Sequence, residues 1–208
     1  VDWDAFSPLI LPYVSGVPTP LLEQHARLAA IDFLKHTKAW QADLAPIVSD
    51  GVLTAFTMVT PTDAQVEKLL SVVITDAYGN IAEANVRTAG YGARLARQGT
   101  FEAIASTSDR LTLAVTPAQP LSASIVATVA LKPTLTAATL PDALFAQYGP
   151  EIAKGAVAAL TAMAGKPWTD LGTARINAAE FINHKAVTAR QVERGFATSG
   201  RRSATRWF

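Results

Sequence analysis

Apolar residues recur at three- and four-residue steps near both ends of this chain, and they alternate with polar residues through its middle. In the segment TPLLEQHARLAAIDFLKHTKAW, which begins at Thr19, the residues Leu22, Ala26, Ala29, Phe33 and Trp40 fall on one stripe. Thr19 as N-cap, Pro20 at the first helical position and Glu23 as a first-turn acid predict a helix over about 20–39. From residue 43 to residue 133 the pattern changes to short β-favouring runs separated by turn residues. Ser49, Asp50 and Gly51 stand between LAPIV and VLTAFTMV, as a hairpin turn would. VEKLLSVVIT, the turn DAYGN and IAEANVR form a second such unit, and TFEAIAS and RLTLAVT a third. Ile125, Ala127, Val129 and Leu131 share a face of a last strand that Pro133 closes. The three-glycine stretch 88–100 reads as a mobile loop.

Helical spacing then returns. Thr139, Leu140, Pro141 and Asp142 form a start signal, and Leu144, Tyr148, Ile152, Ala156, Ala159 and Met163 form a stripe. Gly165, Lys166 and Pro167 end that helix. Thr169 or Asp170 opens another, with Leu171, Ala174, Ala178, Phe181, Thr188 and Val192 near one face and an end near Gly195. The expected architecture is α+β: a helical bundle formed by N- and C-terminal helices, with an inserted, mostly antiparallel β module. The expected divisions are 1–42 plus 134–195 for the bundle, 43–133 for the β region and 196–208 for an extended basic-aromatic tail. No internal repeat is visible.

Composition narrows the function classes. The 208 residues are 50% apolar and 17% charged with a formal net charge of +1, so no global basic field draws the whole molecule onto DNA. The chain has no cysteine, which excludes disulfides, thiolate catalysis and Cys-ligated metals. Its apolar runs reach about ten residues where a membrane span needs about 20. The opening VDWDAF lacks the basic-then-apolar pattern of a secretory leader, so a soluble, non-secreted protein is expected.

Candidate chemistry is sparse. His25 and His36 share a helix face but stand roughly 16 Å apart at about 1.5 Å per residue, too far to ligate one metal. His184 has Glu180 four residues earlier, a same-face pair and no more. Asp2 and Asp4 flank Trp3 and are expected to be solvated rather than catalytic. The run 164–169 superficially suggests a phosphate loop, but Pro167 stands where a Ser or Thr must follow the lysine, and the first glycine is missing. None of the usual hydrolase, zinc-protease or dinucleotide motifs is present. The expectation is a non-enzyme without metal or cofactor.

The last fourteen residues, GFATSGRRSATRWF, carry three arginines, no acid and two terminal aromatics. From Lys185 onward six cations face one anion, Glu193. Such a segment buries too little apolar surface to fold alone. Three readings are open: a solvated end, docking into a partner protein through Arg201, Arg202, Arg206, Trp207 and Phe208, or nucleic-acid contact by the same residues. Arg94 and Arg97, in the glycine-rich loop, are candidates to face DNA, a neighbouring subunit or water.

Several motifs, in order, resemble those of tailed-phage head-to-tail adaptor proteins, which are related to the tail tubular and head-completion proteins of short-tailed phages. They are AAIDFLKHTKAW over 29–40, ALKP over 130–133, LPDAL over 140–144, Ile152-Ala153-x-Gly155-Ala156, and Gly165-Lys166-Pro167-Trp168. The resemblance covers the two ends of the chain and little of the β region. It implies a ring of subunits, typically twelve, beneath the portal vertex of the capsid. That ring extends the DNA channel and offers a platform for the tail nozzle or tube, with packaged DNA passing through without sequence-specific contact. The implied location is the virion neck, after assembly in the host cytoplasm, with the C-terminal segment reaching the portal. Ala153, Gly155, Ala156 and Ala159 would then let neighbouring subunits approach closely, or else pack within one chain. The alternatives are a tail terminator or other connector ring that does not touch the portal, and a small nucleic-acid-binding module with a basic tail.

Overall fold

The computed structural model describes residues 1–52, 55–87, 102–105, 110–116, 119 and 121–195. The chain opens with a single 3-10 turn, Trp3–Phe6, and the short helix α1 (Ser7–Ile10). α2 (Thr19–Thr37) follows, with Pro18 rather than Thr19 at the N-cap position and Thr19 and Pro20 inside the first turn. Glu23 lies beyond that first turn. α2 stops at Lys38, whose left-handed φ of 56° places its N–H on the Leu34 carbonyl.

The strands are β1 (Gln41–Asp43), β2 (Ile47–Val48), β3 (Ala55–Thr57), β4 (Ala64–Thr75), β5 (Ile81–Arg87), β6 (Glu102–Ala105), β7 (Thr112–Thr116) and β8 (Ser124–Pro133). They form one sheet in the order β1-β8-β4-β5-β6-β7-β3, with β2 also on β8. The pairings are antiparallel except β5 with β6, which run parallel through Asn85↔Glu102 and Val86↔Ala103. The expected β4–β5 hairpin forms, closed at Thr75↔Ile81, and so does β6–β7. The turn at Ser49-Asp50-Gly51 does not make a hairpin. Ile47 pairs with Ile125 on β8 and Phe56 with Leu113 on β7, so this turn carries the chain between two different edges. Gly51 needs its left-handed φ of 82°, and an added Cβ would lie 3.3 Å from the Leu121 amide nitrogen.

Two helices complete the bundle: α3 (Asp142–Thr161) and α4 (Leu171–Glu193). α3 continues through Pro150, which removes one helical hydrogen bond to the Ala146 carbonyl. The buried side chains divide into two clusters. One joins Trp3, Phe6, Ile10, Leu22, Phe33, Leu34, Leu144, Ile152, Leu160 and Phe181 from the N-terminal segment, α2, α3 and α4. The other lies on the inner face of the sheet, where Val66, Leu69, Val72, Ile74, Leu113, Val115, Ile125, Val129 and Leu131 meet. Trp40 packs against both.

Trp3 anchors the N-terminal segment to the bundle. Asp2 and Asp4 are exposed as expected, but the Trp3 ring between them is buried. Its Nε1 donates to the Ala137 carbonyl at 2.7 Å, and the Arg27 guanidinium lies 5.7 Å from its centroid. The residues from 1 to 10 thus belong to the core of the bundle.

Candidate functional site

The small residues of α3 were candidates for close approach between subunits. Ala153 and Ala156 are instead buried within the bundle. Gly155 faces α4 and α2: a Cβ there would stand 2.8 Å from the Phe181 ring and 3.1 Å from the Ala29 Cβ. The close approach that these three residues permit is therefore between helices of the same chain. Ala159 is exposed.

α4 carries four exposed large apolar side chains among the described residues, Leu171, Ile176, Ile182 and Val187. Its N-terminus is fixed by Asp170, whose Oδ1 accepts from the Gly172 and Thr173 amides at 2.9 and 3.1 Å and whose Oδ2 accepts from Thr173 Oγ1 at 2.6 Å. Ala174, Asn177, Phe181 and Thr188 form its buried face. The opposite face carries Ile176 and Ile182, each 62% exposed, with exposed Ala179, Ala186 and Val187 between and beyond them. Leu171, expected near the packed face, is 58% exposed. Sequence reading followed the stripe that reached Phe181 and passed over Ile176 and Ile182, although their spacing from Ala179 and Ala186 repeats the helical period. Exposed Arg175, Asn183 and Arg190 share this side, and exposed apolar groups rimmed by polar ones are the kind of surface that protein partners cover.

α4 ends at Glu193 with Arg194 at its C-cap, and the described residues stop at Gly195. Arg201, Arg202, Arg206, Trp207 and Phe208 lie outside the described residues, as do Arg94 and Arg97 and the rest of the expected loop.

Besides the pair of the Val1 amino group with Asp142, ion pairs among the described residues gather at three places. Lys154 on α3 lies 2.6 Å from Glu180 Oε2 on α4 and 3.3 Å from His184 Nε2, so the expected Glu180 and His184 pair is joined by a lysine of the neighbouring helix. Lys154 holds the Glu180 carboxyl below its ordinary range. Asp32 on α2 accepts from Lys185 at 2.5 Å and stands 3.1 Å from His36 Nδ1. Glu67 on β4 meets Lys132 of β8 at 2.7 Å, Arg110 at 3.0 Å and Lys38 at 3.8 Å. Burial pushes the Glu67 carboxyl up, but the Lys132, Arg110 and Lys38 cations outweigh it and leave it below the ordinary range. The five participants in this last cluster, counting the neighbouring Lys68, are spread from residue 38 to residue 132, and no local motif announces them.

The turn that superficially resembles a phosphate loop is a connector. The Lys166 amide donates to Thr169 Oγ1 at 3.0 Å, Thr169 Oγ1 donates to the Met163 carbonyl, and the Asp170 amide donates to the Thr161 carbonyl at 2.9 Å. Its polar groups are thus spent on joining α3 to α4. His25 is half-buried on α2, and burial lowers its pKa below 6.5. Among the described residues no group of three or more histidine, aspartate or glutamate side chains is placed to hold a metal ion. Nor is any described helix long and apolar enough to cross a membrane. The sequence matches no protein-family model and no curated protein.

Proposed function

We propose that this chain is a non-enzymatic structural subunit of a phage particle, the portal-to-tail adaptor of the virion neck, which assembles in the host cytoplasm. The observation that carries this reading is the outward face of α4, where Ile176, Ile182 and Val187 are exposed among Arg175, Asn183 and Arg190. One copy leaves Ile176 and Ile182 in water. A ring whose subunits repeat one heterologous contact until it closes would cover them at every interface. Twelve copies is the stoichiometry that the motif resemblance implies. In such a ring the bundle gives a rigid body, the tail segment reaches the portal, and the channel passes DNA without gripping it by sequence.

The test mixes the full-length protein with the portal protein encoded beside it and measures complex mass and particle images. A closed ring on the portal is expected. Ile176→Glu with Ile182→Glu should leave the fold intact and abolish the ring, because both side chains are exposed in the single chain. Deletion of 196–208 should leave the ring and abolish its attachment to the portal. Failure of the wild-type chain to form any complex with the portal would overturn the adaptor reading.

A further inference from the structure

Four cations surround a single carboxylate where the β module meets the end of α2. Glu67 is the extra residue of a bulge, since β4 pairs with β8 through Val66↔Leu131 and next through Lys68↔Ala130. A bulge re-aims the side chain it inserts. Glu67 Oε2 lies 2.7 Å from Lys132 Nζ and 3.0 Å from Arg110 Nη1, and its Oε1 lies 3.8 Å from Lys38 Nζ. Arg110 Nη1 also donates to the Glu67 carbonyl oxygen at 2.6 Å. Lys68, the next residue of β4, is exposed, and its charge also acts on Lys38.

The excess of positive charge is the point that a structural ion pair does not explain. One carboxylate neutralises one of the four cations, and Glu67 is the sole acid among the described residues whose charge acts on Lys38. Burial is the main cause that lowers the Lys38 pKa; Glu67 acts against it, and the charges of Lys68, Arg110 and Lys132 act with it. The negative end of the α2 dipole accounts for a cation at Lys38. It does not account for Lys68, Arg110 and Lys132, which belong to the β module. Backbone geometry adds a second observation. Arg110 is one of the four non-glycine residues with left-handed φ among the described residues, at 58°, and unlike that of Lys38 its φ does not belong to a helix end. Such conformations persist where the surrounding structure holds them, and they concentrate at functional sites.

We propose that this cluster is a phosphate-binding site, taking the phosphate group either as the free inorganic ion or within a nucleic-acid backbone. A phosphate brings more negative charge than the carboxylate already present, and oxygens enough to meet an arginine fork and ammonium groups together. Access is from the Arg110 and Lys68 side: the Arg110 side chain is 41% exposed and Lys68 is exposed, whereas those of Lys132 and Glu67 are 17% and 9% exposed. The proposal does not depend on the adaptor reading, since it requires only one copy of the chain.

The experiment titrates the full-length protein with inorganic phosphate, followed by phosphorus NMR, and with a fluorescein-labelled DNA duplex, followed by anisotropy across a salt series. Wild type is compared with Lys68→Gln, Arg110→Gln and Glu67→Gln, all retaining residues 196–208, so that the tail contributes equally to each. Lys68 makes no ion pair within the site, which makes Lys68→Gln the variant whose folding is least at risk. Lys68→Gln and Arg110→Gln should each weaken binding by about fivefold. For DNA each should also lower the salt slope by about one. Glu67→Gln removes the competing anion and should strengthen binding; if that variant unfolds, Lys68→Gln and Arg110→Gln decide alone. Phosphate binding that follows the variants assigns the free ion, and DNA binding that follows them without phosphate binding assigns the backbone. Absence of binding to both probes, or binding that the variants leave unchanged, overturns the site.

Discussion

At the scale of single residues, Gly155 and Ala159 separate two meanings of a small side chain. Both lie on α3, yet Gly155 is pressed against Phe181, whose ring is itself packed 6.1 Å from that of Phe33 and capped by the Lys185 ammonium at 4.6 Å. Gly155→Ala gains about 1 kcal/mol of helix propensity but forces this ring to move, at about 1–3 kcal/mol. A net loss of about 1 kcal/mol in urea denaturation is expected. Ala159→Gln, in the open, should change stability by less than about 0.5 kcal/mol. An unchanged or raised midpoint for Gly155→Ala would show that α4 yields there freely. His25 gives a pH-dependent counterpart. Burial lowers its folded pKa below 6.5, so the unfolded chain takes up the proton first. Stability is then full above that value and falls as the pH drops through it. The midpoint difference between wild type and His25→Gln, measured from pH 7.5 to about 5.5, should move against the wild type as the pH falls. A constant difference would mean that the ring titrates as it does in water.

At the scale of elements, the long helices were legible because each carries its own signals. Asp170 followed by Thr173 announces the start of α4, and the structure uses both side chains there. Asp170→Ala should cost about 1 kcal/mol. Loss of helical circular dichroism at lower urea, with the β-sheet signal unmoved, is the expected form of that cost. β4, β5 and β8 were legible by alternation and by the DAYGN turn, where Asp76 Oδ1 accepts from the Tyr78 and Asn80 amides at 2.8 and 2.9 Å. The elements that sequence reading missed are those whose reason for existing lies elsewhere in the chain. Trp3–Phe6 is too short to show a period, and it is held by Ala137 and Phe145, more than 130 residues away. β2 and β3 looked like one hairpin because the residues between them make a turn, whereas their partners, β8 and β7, are chosen by pairing across the sheet. The cation cluster at Glu67 was invisible for the same reason, since a bulge, a helix end and a residue before β7 bring it together. The outer face of α4 differed: Ile176 and Ile182 stood in plain view, and periodicity alone could not say which of two apolar faces would be buried.

At the scale of the whole molecule, two cores share one chain that passes between them at residues 38–43 and again at 133–139. Trp40 lies at the first passage, against both cores, and its carbonyl accepts from the Leu131 amide at 2.7 Å. Asp63 guards the second: its Oδ2 accepts from the Ala138 and Thr139 amides at 3.0 and 3.3 Å, and its own carbonyl accepts from the Thr134 amide at 2.9 Å. These few contacts couple a bundle of long helices to a sheet whose outer strands β1, β2 and β3 are only two or three residues long. The sheet is therefore the half that should open first when the coupling weakens. Trp40→Ala removes a side chain from both cores at once and should cost about 3 kcal/mol. Hydrogen exchange distinguishes how that cost is distributed. In the wild type the slowest amides of β4 and β8 and those of α2 and α3 should share one opening free energy. In Trp40→Ala the β4 and β8 amides should exchange from an opening that leaves α2 and α3 protected. An equal fall in both halves would mean that the cores form one cooperative unit through Asp63 and Glu67 without help from Trp40. Such a unit would transmit a load on the β module directly into the α4 face, whereas separable halves would let the sheet adjust to a partner while the bundle kept its shape.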